Sequence, residues 1–478
     1  MSTFSGLNTA YSGLVAARKG LDVVGQNISN ANTVGYTRQR VTTSAAGSVA
    51  ETGQLTGGAR VGQGVSVDGI ARLGNAQLDA HVRNSAAAAG YTAVRANSLS
   101  TLETSLNEPG ENGISAKLDS FWAGWQELSN GSDSATPAAL LLSTAGALTT
   151  MVAQGYQAVS TEYSSVRGDL GSMVTELNTA ASQVAALNTQ IRTTLATGGN
   201  ANELLDQREL LTTTISALTG ASVVAQSDGT VNVLIGGNAL VSGGTANALA
   251  VSGGSTLDDA MAGTELTLQW ADASRTTPVT IDGGEMAGAL TLLAPGGDLT
   301  RAADAYNQFT VDLAGKVNDI YTTGTNASGT LSNAFFTFDE NNAASTLAVI
   351  PQTGSDVNAG NIANGAYDGS IADTIAQLGA GQAVDSTGDA VVSPNATWSD
   401  FVSKIAVATQ SQLQQANLAS TTATYASSQQ LANSSVDLDE ENVNLLMFQT
   451  AYQGAARVMT AVDEMLDTLI NRTGLVGR

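Results

Sequence analysis

The chain carries a seven-residue apolar repeat at each of its two ends, and these repeats constrain its fold more than any other feature. Near the N-terminus, leucine or isoleucine recurs at every seventh position, and alanine or valine follows each one by three. This spacing predicts an amphipathic helix whose apolar stripe needs a helical partner. The N-terminal stripe consists of Leu7, Leu14, Leu21 and Ile28.

The repeat near the C-terminus has the same period. It begins within a cluster of acids at residues 437–441, where the dipole of a helix start favours carboxylates. We expect the two end helices to pack on one another, and to be antiparallel because both emerge from the same central region. The alternative is that each stripe packs separately on a globular core. The C-terminal stripe consists of Leu445, Phe448, Tyr452, Met459, Val462, Leu466 and Leu469.

Between the ends, a helical pattern starts after Pro137 and extends to about Gly198, whereas residues 221–293 alternate and turn as strands do. We therefore predict a mainly α fold with an inserted β-domain: a terminal antiparallel helical coiled coil, a long-helix body and an outward β insertion, in discontinuous domains. The expected divisions are 1–45 with 437–478 (coiled coil), 46–75 (linker or loop), 76–217 with 300–436 (body, poorly patterned over 322–398) and 218–299 (β-rich).

Composition argues against several classes of function. The formal net charge of −23 argues against nucleic acid, because phosphate binding needs clustered cations. The chain has no cysteine and a single histidine, His81, so thiolate sites and histidine-based triads are excluded. No stretch approaches the roughly 20 apolar residues of a membrane span, and the first residues do not have the pattern of a secretory signal. We expect no enzyme activity, no cofactor or metal, and no membrane partner.

The segment "NISNANTVGYTRQRV" follows the first helical pattern and has the composition of a turn. Asparagine and glycine tolerate left-handed backbone, and tyrosine and arginine supply an anchor and positive charge. One interpretation is a helix stop followed by a solvated loop. The other is a linker that joins the terminal helices to the body and contacts neighbouring subunits, through Asn30, Asn32, Gly35, Tyr36 and Arg38.

Four stretches together resemble the bacterial flagellar axial proteins, the family of rod, hook and hook-associated subunits. "NISNANTVGYTRQ" resembles that family's N-terminal signature, and "GYTRQ" looks most like its hook-associated branch. "NELLDQRELLTTTIS", followed by "QSDGTVNVLIGGNALVSG", resembles a helix-to-β passage of this branch. "GQGVSVDGIARLGNAQLDAHVR" and "VDLDEENVNLLMFQTAYQGAARVMTAVDEMLDTLIN" resemble its entry to the body and its C-terminal helix. Residues 322–398 are poorly covered.

The resemblance implies a structural subunit of the bacterial flagellum that forms the junction between hook and filament. It implies export by the flagellar type III apparatus and self-assembly through the terminal helices, as a ring or helical layer. The implied partners are other copies of the chain, the hook protein, the adjoining second junction protein (hook-associated protein 3) on the filament side, and a cytoplasmic export chaperone at the C-terminal helix. The implied location is extracellular, at the hook–filament junction, with a transient cytoplasmic stage before export.

Two alternatives stay open. Another axial protein, from the hook or distal rod, would share the opening segment but should lack the "LLDQRELL" passage. A secreted enzyme acting on cell-wall polymer would need paired acids, and muramidase activity would reveal it. The acids available in the poorly patterned region are Asp339, Glu340, Asp356, Asp368 and Asp373.

Overall fold

A computed structural model describes most of the chain. The described residues are 3–47, 62–275, 279–326, 328–331, 334–361, 364, 368–383, 390–468 and 470. They are mostly helical, with small antiparallel sheets. The first half contains α1 (Thr3–Asn30), β1 (Gln39–Ala45), β2 (Val65–Arg72), α2 (Ala76–Leu106), α3 (Ile114–Asn130), α4 (Ala135–Ala196), α5 (Asn202–Thr219), β3 (Ser222–Ala225), β4 (Val231–Ile235) and β5 (Asn238–Ser242).

The second half begins with short strands and ends with two long helices. Its elements are β6 (Thr245–Ala246), β7 (Leu249–Gly253), α6 (Leu257–Met261), β8 (Leu266–Trp270), α7 (Gly284–Leu293), α8 (Asp298–Tyr321), β9 (Phe336–Thr337), α9 (Ala343–Thr346), β10 (Ala348–Val349), a 3-10 turn (Gly354–Asp356), α10 (Ser370–Gly379), α11 (Pro394–Ser434) and α12 (Leu438–Asp467).

Helix α4 is the centre of the body. Its inward face is fully buried from Leu141 to Ile191 against α3, α5, α7 and α8. From the sequence we expect no stretch that approaches a membrane span, but α4 is the one described helix that could cross a membrane by length and hydropathy alone. One third of its apolar window (33%) is buried inside the protein, and the inward face belongs to the hydrophobic core. Aromatic side chains fill the core beside α3 and α8, with Trp125 and Phe335 in contact at a ring-centroid distance of 5.1 Å.

Three segments differ from the sequence-based expectation. Residues 39–45, expected within the terminal coiled coil, form strand β1. Residues 65–72, expected within a linker or loop, form strand β2, which pairs antiparallel with β1. The alternation of apolar and polar residues in this segment is too weak to predict a strand. It becomes a strand because it pairs with β1, which lies mostly more than twenty residues earlier in the chain. Residues 284–293, expected within the β-domain, form helix α7, because the apolar run "MAGALTLL" is buried between α2 and α4. A short apolar run has no period that separates strand from helix.

Helical asparagines attach strands to the long helices by a repeated device, which we call the amide clasp. The side-chain amide of one asparagine donates to the carbonyl and accepts from the N–H of a single residue, the first residue of a strand. On α4, Asn188 clasps Val231 at 2.8 and 3.1 Å. The other clasps join Asn27 to Gln39, Asn178 to Leu249, and Asn318 to Phe336.

The clasps satisfy backbone groups that would otherwise be buried without partners. Asn188 is fully buried and also bonds the Gly243 carbonyl and the Arg208 guanidinium. An amide carries donors and an acceptor in the geometry of a peptide group, so it continues the pattern of a sheet ladder from a helix. Strands β4 and β7 are therefore held to α4 by hydrogen bonds as well as by apolar contacts.

We predict that Asn188→Ala lowers the free energy of unfolding by roughly 3 kcal/mol, because each buried polar group that loses its partner costs about 1–3 kcal/mol. Asn97→Ala is the matched control: Asn97 is exposed on α2, so its effect should stay within about 0.5 kcal/mol. Urea unfolding of the two variants measures the difference. Equal unfolding midpoints would show that the clasp contributes nothing.

Candidate assembly site at the joint of the terminal helices

Helices α1 and α12 pack on one another in an antiparallel pair. Every seventh residue of α1 meets every seventh residue of α12, in reverse order. A Cβ built on Gly20 would lie 2.5 Å from the Phe448 ring, so the helices approach closely at this point. The register is Gly6 with Val462, Gly13 with Ala455, Gly20 with Phe448, and Asn27 with Glu441.

The small residues of α1 make the closest contacts, and the predicted N-terminal stripe lies one position beyond them. Leu7, Leu14, Leu21 and Ile28 are half-buried at the flank of the pair. The deeply buried apolar residues of α1 are Val23 and three residues that each follow the stripe by three: Ala10, Ala17 and Val24. Sequence reasoning missed the heptad of glycines, although the spacing of Gly6, Gly13 and Gly20 is visible in the sequence. A glycine repeat permits close helix approach because it has no side chain to separate the axes.

The C-terminal stripe is only partly covered by α1. Val462 is buried, with 8% of its surface exposed, whereas Tyr452 is 37% exposed. Leu445, Phe448, Met459 and Leu466 are half-buried, and Leu469 lies outside the described residues.

A second apolar row of α12 lies about 90° around the helix from its contact with α1. Val443 and Met447 of this row line a cavity together with Gly20 and Val23 of α1. The members of the row recur at spacings of four, eleven and seven residues, which places them on one side of a helix. The members of this outer stripe and their exposed fractions are Val443 (65%), Met447 (54%), Val458 (51%) and Met465 (52%). A contiguous exposed apolar stripe of this kind marks an interaction surface.

One end of the helix pair closes in a buried polar network. Glu441 is 1% exposed and accepts from the Asn27 amide at 3.1 Å. Arg38 pairs with Glu441 at 2.7 Å and with Glu440 at 2.6 Å. The Tyr36 hydroxyl donates to Asn27 Oδ1 at 2.8 Å. Tyr36 and Arg38, predicted as linker residues, therefore bind the terminal pair of their own chain.

The turn between α1 and β1 is compact. Asn30 is the last residue of α1, and its side chain donates to the Gln26 carbonyl. Gly35 takes the left-handed conformation, with a φ of 81°. In the described part of the chain Asn107 is the one non-glycine residue with positive φ, so Asn30 and Asn32 do not use the left-handed region. Asn32 is exposed at the surface of the turn.

The body holds this turn through the start of α5. Asp206 accepts from the Thr37 backbone N–H at 3.0 Å and from Arg72 Nε at 2.5 Å. Two residues later, Arg208 donates to Asn188 and to the Gly229 carbonyl, which ties α5 to the β insertion.

Two further contacts complete the joint on its α2 side. Glu209 pairs with Arg83, and Gln430 of α11 donates to Asp79 at 2.6 Å. The backbone N–H of Arg38 also donates to the Ser434 carbonyl at 2.9 Å, at the end of α11. The "DQRE" run is thus a tertiary junction between the terminal helices, the body and the insertion.

Burial and neighbouring charges set the protonation of the network. Burial raises the pKa of Tyr36 to about 12, and the carboxylates of Glu203, Asp206 and Glu441 add to the rise. The phenol therefore stays a donor at neutral pH, and the stability that it contributes is lost as pH rises from 10.0 through about 12. Burial lowers the pKa of Arg38, but its bonds to Glu440 and Glu441 more than offset this, so that pKa lies above its usual value.

The acids of the poorly patterned region have local structural roles. Asp356 accepts from Thr353 in a capping box, and Asp368 accepts from Ser370 and from the Asn361 backbone. Asp373 accepts from Gln377 one turn along α10. Asp339 accepts from the Asn341 backbone. Within the described residues, no group of three or more histidines and acids could hold a metal ion.

Three family models match successive parts of the chain, near its start, in its middle and near its end. The flagella basal body rod protein model matches residues 7–37, which contain α1 and the turn. The model for the helical domain of flagellar hook-associated protein FlgK matches residues 99–336. The model for the C-terminal part of basal body rod proteins FlgEFG matches residues 427–472, which contain α12.

Full-length similarity supports the same family. The chain is 28% identical to flagellar hook-associated protein 1 of Bacillus subtilis over 523 aligned residues, which cover all of both proteins. The chain belongs to the flagellar hook-associated protein 1 family. It is 30% identical to the family member of Salmonella typhimurium, where the alignment covers 72% of this chain and 62% of that protein.

A solved structure has the same fold. The flagellar hook junction protein FlgK from Burkholderia pseudomallei superposes with a TM-score of 0.62 at 16% identity. The match covers 76% of this chain and all of that one. The model of the hook-associated helical domain covers residues 99–336 and so includes α5 and the strands that follow it. From the sequence we expect this passage in hook-associated proteins and not in hook or rod proteins.

We predict that Gly20→Ala loosens the helix pair, because the new methyl group would meet the Phe448 ring. Gly25→Ala on the same helix is the control. Nothing lies within 4 Å of a Cβ at Gly25, so alanine should stabilise α1 by about 0.5–1 kcal/mol. Hydrogen exchange of α1 and α12 amides should be faster in the first variant and slower in the second. The same exchange rate in both would exclude close packing at Gly20.

The two neighbouring glutamates should differ in their contribution to stability. Glu441→Ala removes a buried partner of Arg38 and Asn27, and the loss of one member of a buried pair costs up to about 3–5 kcal/mol. Glu440→Ala removes an exposed partner of the same arginine and should cost less than about 1 kcal/mol. Thermal unfolding with hydrogen exchange at the start of α12 distinguishes them, and similar losses would contradict the proposed network.

Proposed function

We propose that this protein is a structural subunit of the bacterial flagellum that forms the junction between hook and filament. The family membership places it among flagellar proteins. The junction role follows from the likeness to hook-associated relatives, and it implies contacts with the hook protein and with hook-associated protein 3. In this proposal the protein is not an enzyme, because the candidate acids serve as caps and local hydrogen-bond acceptors.

We propose further that the terminal helices form the assembly domain as a coiled coil, with residues 1–45 and 437–478 as one discontinuous unit. The outer stripe of α12 is the observation that carries this step. It exposes Val443, Met447, Val458 and Met465 beside a pair whose inner face is partly buried. Neighbouring copies can bury this stripe when several pairs come together, since closed assemblies reuse one surface on every subunit.

The exposed apolar residues of α12 are also consistent with export of the protein before it assembles. The proposal includes passage through the flagellar type III apparatus, a transient cytoplasmic stage, and a chaperone that covers the C-terminal helix before export. Met447, Met459 and Met465 supply adaptable apolar contacts that a temporary helical groove can accept. The protein then functions outside the cell at the hook–filament junction.

The test is complementation of a strain that lacks this gene. Val458→Asp places a carboxylate on the outer stripe, where its burial costs several kcal/mol unless the charge is neutralised. We expect at least a tenfold drop in hooks that carry filaments, counted in electron micrographs. Gln453→Asp is the control, because at roughly 100° per residue it lies about 140° around α12 on the polar flank. Normal filaments with Val458→Asp would contradict assembly through this stripe.

The deletion strain tests the role itself. Hooks without filaments are the expected phenotype, and normal filaments would contradict the junction role. Circular dichroism of both purified variants should show the helix content of the native protein, since neither change touches the body.

A further inference from the structure

Helix α11 has one buried face and one open face. Its inner face packs along α2, where Ile405, Thr409 and Ala426 are buried. Thr409 donates to the Leu99 carbonyl at 3.3 Å, and Gln430 donates to Asp79 at 2.6 Å. These contacts fix the helix on the body over more than twenty residues, so the opposite face has a defined orientation.

The open face carries a straight row of large apolar side chains. Val407 is 70% exposed, Leu418 70% and Tyr425 61%. Their spacings of eleven and seven residues correspond to about three and two helical turns, so the three side chains line up along the helix. We call this row the outer face of α11. It lies on the side of the helix opposite the residues buried against α2.

The outer face lies in a stretch without charge. From Ile405 to Val436 the sequence contains no Asp, Glu, Lys or Arg, although the whole chain has a net charge of −23. Exposed helix faces of an acidic protein normally carry carboxylates that keep copies apart. From Val407 onward, exposed hydroxyls and amides flank the row: Ser411, Gln414, Thr421 and Ser428. The nearest charges, Asp400 and Lys404, precede Val407 and pair with each other. A neutral polar rim around apolar residues is the composition of a protein–protein contact.

We propose that the outer face of α11 contacts a second copy of this chain, on the body and outside the terminal helices. This inference rests on the proposed function, which brings copies side by side. A partner of opposite charge would be recognised by carboxylates, which this face lacks. A copy with the same strong negative charge can approach only where no like charges oppose each other, and this face meets that condition.

The contact is continuous with the proposed assembly domain. Helix α11 ends at Ser434 and α12 begins at Leu438, so the outer face leads directly to the helix that carries the outer stripe. Three side chains cover much less than the roughly 800 Å² per partner of a stable complex. The contact is therefore too weak to form dimers in dilute solution, and it adds to the terminal contacts once copies are held together.

A single introduced thiol tests whether the face is covered. The chain has no cysteine, so Leu418→Cys carries the only thiol, and Leu140→Cys places one at an exposed leucine of α4 as the control. Both should react with a maleimide in the purified monomer. In isolated flagella we expect Leu418→Cys to react at least tenfold more slowly than in the monomer, with Leu140→Cys little changed. Unchanged labelling of Leu418→Cys in assembled flagella overturns the inference.

A photo-crosslinker identifies the partner. Benzoylphenylalanine in place of Tyr425, irradiated in flagella that contain two differently tagged copies, should give an adduct that carries both tags. An adduct with another protein alone overturns the inference but leaves the proposed function intact. Absence of the chain from the isolated flagella contradicts the proposed function itself.

Discussion

The architecture depends on how long helices bind the first residues of strands that belong to small antiparallel sheets. The first residue of such a strand presents an N–H and a carbonyl that must find partners when buried. In this protein an asparagine on a neighbouring helix supplies both, at Gln39, Val231, Leu249 and Phe336. Each attachment is directional, so it sets the register of the strand as well as its position. Apolar packing is non-directional, so by itself it would not stop a strand from shifting along the helix surface.

Sequence reasoning predicted the parts of the fold that carry a period. The heptads predicted both end helices, and their emergence from one central region predicted that they are antiparallel. The long pattern after Pro137 corresponds to α4, which starts at Ala135 and ends at Ala196. The spacing of apolar residues predicts which face of a helix is buried, but not which of its residues come closest to the partner helix. On α1 the closest positions are glycines, which contribute nothing to a hydrophobic pattern, so the contact was displaced by one residue from the predicted stripe.

The joint itself could not be predicted. Thr37 and Asp206 are separated by 169 residues of sequence, and no local pattern links them. The same holds for β2, whose strand character depends on pairing with β1, and for α7, whose apolar run suits strand or helix equally well. The turn after α1 and the "LLDQRELL" passage both resemble axial proteins. Only the structure shows that they are in contact, with Asp206 of this passage holding the turn at Thr37.

The antiparallel register of α1 and α12 also determines the order in which the molecule can be completed. The hydrogen bond from Asn27 to Glu441 joins residues 414 positions apart, so α1 is synthesised long before its partner exists. Closing so large a loop is entropically unfavourable and slow, and the packing of α11 on α2 has a similar cost, since Thr409 and Leu99 are 310 positions apart. During synthesis, the glycine face of α1 therefore stays unpaired until α12 has been made. The helix pair can therefore form only after every other described element has been synthesised.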